Sequence, residues 1–308
     1  MTALPTVAIV MSAYNAERYL AEQIDSILSQ HGAQMRLYVR DDGSTDGTAA
    51  LLDAYAQRDF RLRYQRGSNL GAGQSFLQAI ADCPFDARYY GFADADDVWL
   101  PDKIEYSIAL LEELIASLES PRTPAAICTR LRVVDQALQP IGQTPVPRIG
   151  LRFDNALVDT VTSGASMLMN PAAFELLRSA RPAKVVMHDA WAYLVLSAFG
   201  ALRFGERPTI LYRQHATNVV GTSFGWKRLL GIRLRRLRTP SGYWDQALQF
   251  RALFGQRLDP AKRAVLERYV GYRASLPRRL AFALNPSVRA QSRKANLFYR
   301  LLFLLGRG

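Results

Sequence analysis

Cysteine and long apolar runs are both scarce in this sequence. Its 308 residues include only Cys83 and Cys128, which are far apart and belong to no Cys-X-X-Cys or Cys/His pattern. The sequence therefore supports neither a disulfide framework nor a structural zinc site. The apolar segment 297–305 is suited to lie on a membrane, but a spanning helix needs about 20 apolar residues. We therefore expect no membrane-spanning helix.

Acidic residues are scarce in only one part of the chain. Residues 1–221 carry 20 Lys and Arg against 24 Asp and Glu, whereas residues 222–308 carry 19 against 3. With 49% hydrophobic and 21% charged residues, the chain has the composition of a globular protein and not of a disordered one. The excess of positive charge after residue 221 predicts an anionic partner for that part, either lipid or nucleic acid.

Short apolar runs alternate with amphipathic stretches in the first half of the chain. This alternation is typical of βα units around a mostly parallel sheet, so we predict an α/β fold flanked by helices. Five prolines between residues 121 and 147 indicate a looser region. We predict strands over residues 7–11, 36–40, 62–65, 89–93 and 166–169, and helices over residues 17–30, 49–58, 103–118 and 188–199.

Three carboxylates, Asp94, Asp96 and Asp97, directly follow the predicted strand 89–93. Alternate side chains of an extended chain share a face, so we expect Asp94 and Asp96 to project together. Carboxylate oxygens suit Mg²⁺ or Mn²⁺, and an ion with one or two protein carboxylates completes its shell with water and substrate phosphates. The alternative is that Asp97 is a helix N-cap ahead of a helical turn, with Pro101 opening the next helix.

A second acidic cluster, Asp41 and Asp42, ends the predicted strand 36–40 and precedes Gly43, Ser44 and Gly47. A carboxylate at a strand end can accept a hydrogen bond from a base N–H or a ribose hydroxyl, and turn glycines let a nucleotide approach the backbone. A capped turn that leads into a helix explains residues 44–48 equally well.

The motifs of residues 5–105, taken in order, resemble those of the family 2 inverting glycosyltransferases. They are the segments VAIVMSAYN (7–15), DDGSTDGT (41–48), NLG (69–71) and ADADDVW (93–99). Residues 162–170, 187–191 and 212–221 resemble the rhamnosyltransferase-like branch of that family. The resemblance reaches about residue 221, and the basic tail matches nothing general in the family.

This resemblance implies a GT-A fold that transfers a sugar from a nucleoside diphosphate sugar with inversion. By analogy, Asp94 and Asp96 form the DXD element that binds Mg²⁺ or Mn²⁺ and the donor, with Asp96 as the direct ligand. Asp189 matches the position of the catalytic base, although His188 precedes it where many relatives have Glu. The same analogy assigns the nucleoside to Ala13, Tyr14, Asn15 and Asp42.

Three residues in the second half of the resemblance are open to further interpretation. His215 lies in a polar loop, from which it can join the metal or a phosphate when that loop closes, and Arg213 can bind a phosphate in the same way. Without the family match, Asp189 is typical of a helix N-cap, since the residues after it have a helical pattern.

The basic tail contains the segment 226–238, which groups Trp and Leu on one side of a helix. Lys227, Arg228, Arg235 and Arg238 cluster opposite, the profile of an interfacial helix that binds an anionic membrane. A helix that packs on the catalytic domain with a solvated basic face is the alternative. We expect a catalytic domain over residues 1–221 and a basic helical region over 222–308.

We therefore expect a cytoplasmic enzyme that is peripheral at the inner face of the cytoplasmic membrane. Its expected donor is dTDP-L-rhamnose, or else another UDP- or dTDP-sugar, and its acceptor is a lipid-linked or cell-surface glycan. A nucleotidyltransferase is less consistent, because residues 12–15 offer no basic residue in a glycine-rich loop. Nucleic acid is not an expected partner, because no RNP, KH or zinc-finger signature is present. An oligomer is compatible with the sequence.

Overall fold

A computed structural model describes residues 3–215 and 242–308. The chain forms two compact units. Unit 1 comprises Met1–Val146, Thr162–Arg181 and Gly200–Gly221, and unit 2 comprises Pro147–Val161, Pro182–Phe199 and Thr222–Gly308. Unit 2 thus includes two segments that precede residue 221, in addition to the basic tail. The assignment of catalysis to residues 1–221 stays a prediction.

The described part of unit 1 is built on a nine-stranded sheet with the order β3-β2-β1-β4-β8-β6-β9-β5, and β7 pairs with β6. The strands are β1 (Thr6–Ala13), β2 (Gln34–Asp41), β3 (Leu62–Arg66), β4 (Tyr89–Ala93), β5 (Val98–Trp99), β6 (Ala125–Val134), β7 (Pro140–Gln143), β8 (Leu168–Met169) and β9 (Ala201–Arg213).

The sheet is parallel in its first half and mixed beyond it. β1, β2, β3 and β4 pair in parallel, and so do β6 and β9. β8 is antiparallel to both β4 and β6, and β5 and β7 also join the sheet by antiparallel pairing. The predicted α/β fold with helices around a sheet is confirmed, and the antiparallel strands β5, β7 and β8 make the sheet mixed.

Helices cover this sheet because their apolar residues recur at helical spacing. In α1, Leu20, Ile24 and Ile27 are fully buried and belong to the core that also contains the β1 and β2 side chains. The helices of unit 1 are α1 (Leu20–Leu28), α2 (Thr48–Arg58), α3 (Ala72–Asp82), α4 (Lys103–Ala116) and α6 (Pro171–Arg178). Unit 2 contains α5 (Phe153–Ala156) and α7 (His188–Phe199).

Two long strands lie where the sequence analysis placed none. β6 runs through the region that its flanking prolines marked as loose, and β9 contains Gly205 and Pro208. The β6–β9 register shifts between Thr129 and Leu131, where Arg130 faces Pro208. Proline has no N–H to donate, so an irregular register at this point keeps the strands paired on either side.

The C-terminal part of unit 2 is helical, as expected. Its described helices are Tyr243–Phe254, Pro260–Gly271, Leu276–Leu284 and Arg293–Leu304. Pro260 and Pro277 occupy the first turns of two of them, a position at which proline costs no hydrogen bond. In the described part of the chain, every helix is too short or too polar to cross a bilayer. The predicted amphipathic helix 226–238 lies outside the described residues.

Candidate functional site

The loop that follows β1 is fixed to the acidic turn that follows β2. The carbonyl oxygen of Ala13 accepts a hydrogen bond from the Asp42 N–H at 2.8 Å. The Asn15 N–H donates to Ser44 Oγ at 2.9 Å, and Asn15 Oδ1 accepts from the Thr45 N–H at 2.9 Å. Asn15 has a φ of 48°, in the left-handed region that asparagine tolerates better than most residues. The structure thus brings together Ala13, Asn15 and Asp42.

Tyr14 and Asp42 differ in their exposure to solvent. Tyr14 is 52% exposed, so its ring is accessible to a ligand. Asp42 is buried, and its two carboxylate oxygens accept the N–H groups of Leu70 and Gly71, each at 2.9 Å. Gly71 has a φ of 78°, which favours glycine at this turn. Asp42 therefore holds the loop that follows β3, while its contact with a nucleoside stays a prediction.

Arg40 supports this loop and was not singled out by the sequence analysis. It lies near the end of β2, is buried, and forms an ion pair with Asp42. Its guanidinium also donates to Ser75 Oγ and to the Ser68 carbonyl oxygen, both at 2.8 Å. A buried charge needs a partner of opposite charge. The sequence contained a signal for this pair, because Arg40 lies in an apolar strand two residues before Asp42.

The acidic residues after β4 lie in a turn and not in an extension of the strand. β4 ends at Ala93 and residues 95–96 form the turn, so the strand alternation from which we expected Asp94 and Asp96 to project together does not apply. Asp94 and Asp96 are half-buried, whereas Asp97 is fully buried. Burial, together with the negative charges of Asp96 and Asp94, raises the pKa of Asp97 well above its usual value.

Asp97 is not a helix N-cap, so that alternative is wrong. Helix α4 begins at Lys103, and its N-cap residue is Asp102. Asp97 Oδ1 instead accepts the backbone N–H of Arg213 at 3.0 Å, which ties the acidic turn to the end of β9.

Arg213 is buried and its guanidinium is engaged in several contacts. It donates to the carbonyl oxygens of Asp96 at 2.9 Å and Gln136 at 2.7 Å, and it forms an ion pair with Glu22. It also lies 4.5 Å from the centre of the Tyr19 ring. These contacts make Arg213 a positioning residue for the acidic turn, and its predicted contact with a donor phosphate stays a prediction.

His215 contacts the acidic turn directly. Its Nε2 lies 2.8 Å from Asp96 Oδ2, and its ring stacks on Tyr19 with a centroid distance of 5.2 Å. Tyr19 therefore contacts both the guanidinium of Arg213 and the imidazole of His215. The expectation that His215 joins the metal or a phosphate stays a prediction.

These residues fit a divalent ion that has few protein ligands. Within residues 3–215 and 242–308, no three His, Cys, Asp or Glu side chains form a ready-made metal site. Asp96 and His215 nevertheless offer an oxygen and a nitrogen in direct contact. Mg²⁺ at phosphate sites commonly has only one or two protein ligands and takes the rest from water and phosphate oxygens. The full set of Asp94, Asp96 and His215 stays a prediction.

Asp189 is the one predicted site residue in unit 2. It lies in the first turn of α7, where the helix dipole stabilises a negative charge, and its Oδ1 accepts the Ala190 N–H at 2.7 Å. Its neighbour His188 is buried, and burial lowers the pKa of His188 to about 3. His188 is therefore neutral at pH 7, and the role of Asp189 as a base stays a prediction.

Comparison with known sequences identifies a family match over part of the chain. The sequence model of glycosyl transferase family 2 matches residues 8–170, more than half of the chain. The dTDP-rhamnosyl transferase RfbG of Shigella flexneri is 28% identical over 233 residues, which is 70% of this chain and 75% of that protein. The putative teichuronic acid biosynthesis glycosyltransferase TuaG of Bacillus subtilis (strain 168) is 27% identical over 54% of this chain and 62% of its own length.

Solved structures share the fold at low sequence identity. The TarS fragment 1–349 of S. aureus in complex with UDP-GlcNAc has a TM-score of 0.56 and 12% identity, covering 98% of this chain and 92% of that chain. The mannosyltransferase PcManGT of Pyrobaculum calidifontis in complex with GDP-Man and Mn²⁺ has a TM-score of 0.54 and 16% identity, covering 99% and 87%. The fold is therefore of the GT-A type.

Proposed function

The chain belongs to glycosyl transferase family 2, and from this premise we propose that it transfers L-rhamnose from dTDP-L-rhamnose to a hydroxyl group of a lipid-linked or cell-surface glycan, with inversion. One observation carries the proposal. β2, β1 and β4 are neighbours in the sheet, so the nucleoside candidates and the acidic turn follow the carboxyl ends of adjacent strands. Open α/β sheets bind ligands at this edge.

The nucleoside would bind at the loops after β1 and β2. The exposed ring of Tyr14 would cover one face of the base, and the Asn15 and Asp42 loops would hold its edge. Thymine and uracil present the same N3–H, O2 and O4 groups, so Asp42 does not discriminate between dTDP and UDP. The choice of rhamnose rests on the similarity to RfbG over 70% of the chain.

The diphosphate would bind beside the acidic turn, with Asp94, Asp96 and His215 as the residues that hold Mg²⁺ or Mn²⁺. When bound, such an ion offsets the negative charge that develops on the departing nucleoside diphosphate. Arg213 supports these residues through the carbonyl oxygen of Asp96 and is the proposed further contact to phosphate. A metal is consistent with the Mn²⁺ in the PcManGT complex.

Asp189 would accept the proton of the attacking acceptor hydroxyl. A carboxylate suits this role because its oxygens can accept a proton. A positioned base contributes about 10²- to 10⁴-fold to the rate. His188 would compete poorly for the proton, since burial lowers its pKa to about 3 and so disfavours its protonated form. The acceptor oxygen then forms the new glycosidic bond while the bond from the sugar to the diphosphate breaks. We further propose that this reaction takes place at the inner face of the cytoplasmic membrane.

A panel of nucleotide sugars tests the donor. We expect dTDP-L-rhamnose with Mn²⁺ to raise the melting temperature of the purified protein by several degrees, because a ligand at 100 times its Kd adds about 2.7 kcal/mol. dTDP-glucose is the matched control, since it has the same nucleotide and a different sugar. Release of dTDP from dTDP-L-rhamnose is the activity readout. Turnover of UDP-glucose or UDP-galactose without turnover of dTDP-L-rhamnose would overturn the choice of donor.

A further inference from the structure

The last two helices of unit 2, Leu276–Leu284 and Arg293–Leu304, are apolar on two faces each. Their inner faces pack on each other and on Tyr272: the Phe282 and Phe303 rings lie 4.9 Å apart, and the Tyr272 ring lies 5.0 Å from that of Phe282. Phe282 and Phe303 are almost completely buried. These inner faces account for the core of this helix pair.

The outer faces of the two helices carry leucines that lie outside the core and are exposed to solvent. Leu276, Leu280 and Leu284 recur every four residues on the first helix, and Leu284 is 75% exposed. Leu297, Leu301 and Leu304 recur at helical spacing on the second, where Leu297 is 71% exposed. Residues three and four apart share one side of a helix. We call these six residues the leucine face. Soluble surfaces rarely expose so many large apolar side chains together, so this face points to an interaction.

The two helices that carry the leucine face contain basic residues and no acidic ones. No Asp or Glu follows Glu267, whereas residues 268–308 contain nine Lys and Arg. Arg293, Lys294 and Arg300 are exposed on the same helix as Leu297 and Leu301, and Arg278 is exposed on the neighbouring helix. Exposed leucines flanked by Arg and Lys are the pattern of a helix that lies in the plane of an anionic bilayer.

We propose that the leucine face docks unit 2 onto an anionic phospholipid surface, with both helices lying in the membrane plane. The leucines would enter the boundary between headgroups and acyl chains, and the basic side chains would contact lipid phosphates. A second copy of the chain fits this face less well, since pairing would bring two sets of like charges together. The proposal does not depend on the identity of the sugar donor, and it assigns membrane binding to residues outside the segment 226–238.

Vesicle co-sedimentation of the full-length protein tests the proposal. We expect binding to phosphatidylcholine vesicles that contain 30% phosphatidylglycerol, weak binding to pure phosphatidylcholine, and a decrease with salt. The double variant Leu297→Gln/Leu301→Gln should partition at least about tenfold less, because both side chains would leave the apolar layer. The matched control Phe60→Gln/Leu253→Gln changes two exposed apolar residues elsewhere and should bind like the wild type.

A charge series tests the basic rim separately. The triple variant Arg293→Gln/Lys294→Gln/Arg300→Gln should reduce partitioning by about 100-fold, since each basic residue near an anionic surface contributes roughly a factor of five. The control Arg122→Gln/Arg148→Gln/Lys184→Gln removes the same charge from exposed positions elsewhere and should change partitioning by less than about fivefold.

A fluorescent label reports insertion at a single position. Both native cysteines are buried, so Leu301→Cys can be labelled selectively with a nitrobenzoxadiazole group. We expect its emission to shift to the blue on anionic vesicles, whereas a label at Leu253→Cys should not respond.

Three results would overturn the proposal. The first is that the wild type fails to sediment with anionic vesicles, and the second is that Leu297→Gln/Leu301→Gln sediments like the wild type. The third is that the charge variants of residues 268–308 bind normally and only Lys227→Gln/Arg228→Gln/Arg235→Gln/Arg238→Gln loses binding. A lipid-independent dimer that Leu297→Gln/Leu301→Gln dissociates in sedimentation velocity would assign the face to a second copy instead.

Discussion

Asp96 Oδ2 lies 2.8 Å from Nε2 of His215, a residue 119 positions later in the chain. This contact joins the turn after β4 to the residues that follow β9. Carboxylate oxygens and imidazole nitrogens are both groups that can bind a metal ion. Arg213 holds the backbone of the same turn through the Asp96 carbonyl oxygen. The end of β9 therefore belongs to the candidate site as much as the acidic turn does.

We predict that Asp96→Asn and His215→Ala each weaken binding of dTDP in the presence of Mn²⁺ by about tenfold or more, because each would remove one of the proposed protein ligands of the divalent ion. Titration calorimetry with and without EDTA measures the effect. His31→Ala changes an exposed histidine of α1's C-terminal loop and serves as the control. Equal dTDP affinity with and without EDTA would contradict the metal assignment.

Asp189→Asn should keep donor binding and lower the transfer rate by about 10²- to 10⁴-fold, because an amide preserves the shape of the side chain but cannot accept the proton. The control is Asp245→Asn, since Asp245 also lies in the first turn of a helix in unit 2. Both variants lose a similar helix-dipole interaction, so a difference between them isolates the chemistry. Wild-type turnover in Asp189→Asn would remove Asp189 from the mechanism.

Asp42→Ala should lower the free energy of unfolding by about 3 kcal/mol, because it leaves the buried charge of Arg40 without its partner. Urea unfolding of Asp42→Ala, Arg40→Met and the double variant gives the coupling between them. We expect the double variant to lose less than the sum of the two single losses. Glu113→Ala breaks the exposed pair with Arg203 and should cost less than about 1 kcal/mol.

Lys103 leads to a prediction about stability and pH. It is fully buried, its Nζ has no hydrogen-bond partner among the described residues, and burial lowers its pKa from 10.5 to about 7. The Trp99 ring, 4.2 Å from Nζ, favours the charged form, but a cation–π contact offsets only part of the cost of burying a charge. The unfolded state therefore binds more protons than the folded state between pH 7 and pH 10.5.

This difference fixes the sign of the effect. The loss in free energy of unfolding that comes from burying charged Lys103 is largest below about pH 7, and it decreases to zero as the pH rises towards 10.5. Lys103→Met should therefore be more stable than the wild type by about 1 to 2 kcal/mol at pH 7, and by less at pH 9.5. Denaturant melts at several pH values test this, with the exposed Lys184→Met as the control. A stability difference that grows with pH would contradict the prediction.

The sequence predicts the parallel half of the fold well, because each element there is local. The apolar run at β4 and the helical spacing in α1 are visible within about a dozen residues. β6 and β9 were missed because prolines flank one and interrupt the other, while the pairing that stabilises them joins residues such as Ala125 and Ala201.

The candidate site was predictable to the same extent. Ala13, Asn15, Asp42 and Asp96 stand in motifs that the sequence displays directly. The roles of Arg40 and Glu22 are set by partners that only folding brings within reach, and Glu22 pairs with Arg213 from 191 positions away. No local pattern carries that information.

The hydrogen bonds from the Leu70 and Gly71 amides to a buried carboxylate have a consequence for recognition. Amide protons held in this way should exchange with deuterium as slowly as those of the neighbouring strands, although they belong to a loop. The nucleotide would then meet a surface that is ordered before it arrives, and little conformational entropy would be lost on binding. The selectivity for donors would accordingly depend on how well each fits a preformed surface. The association rate would be set by diffusional encounter and not by rearrangement of the loop.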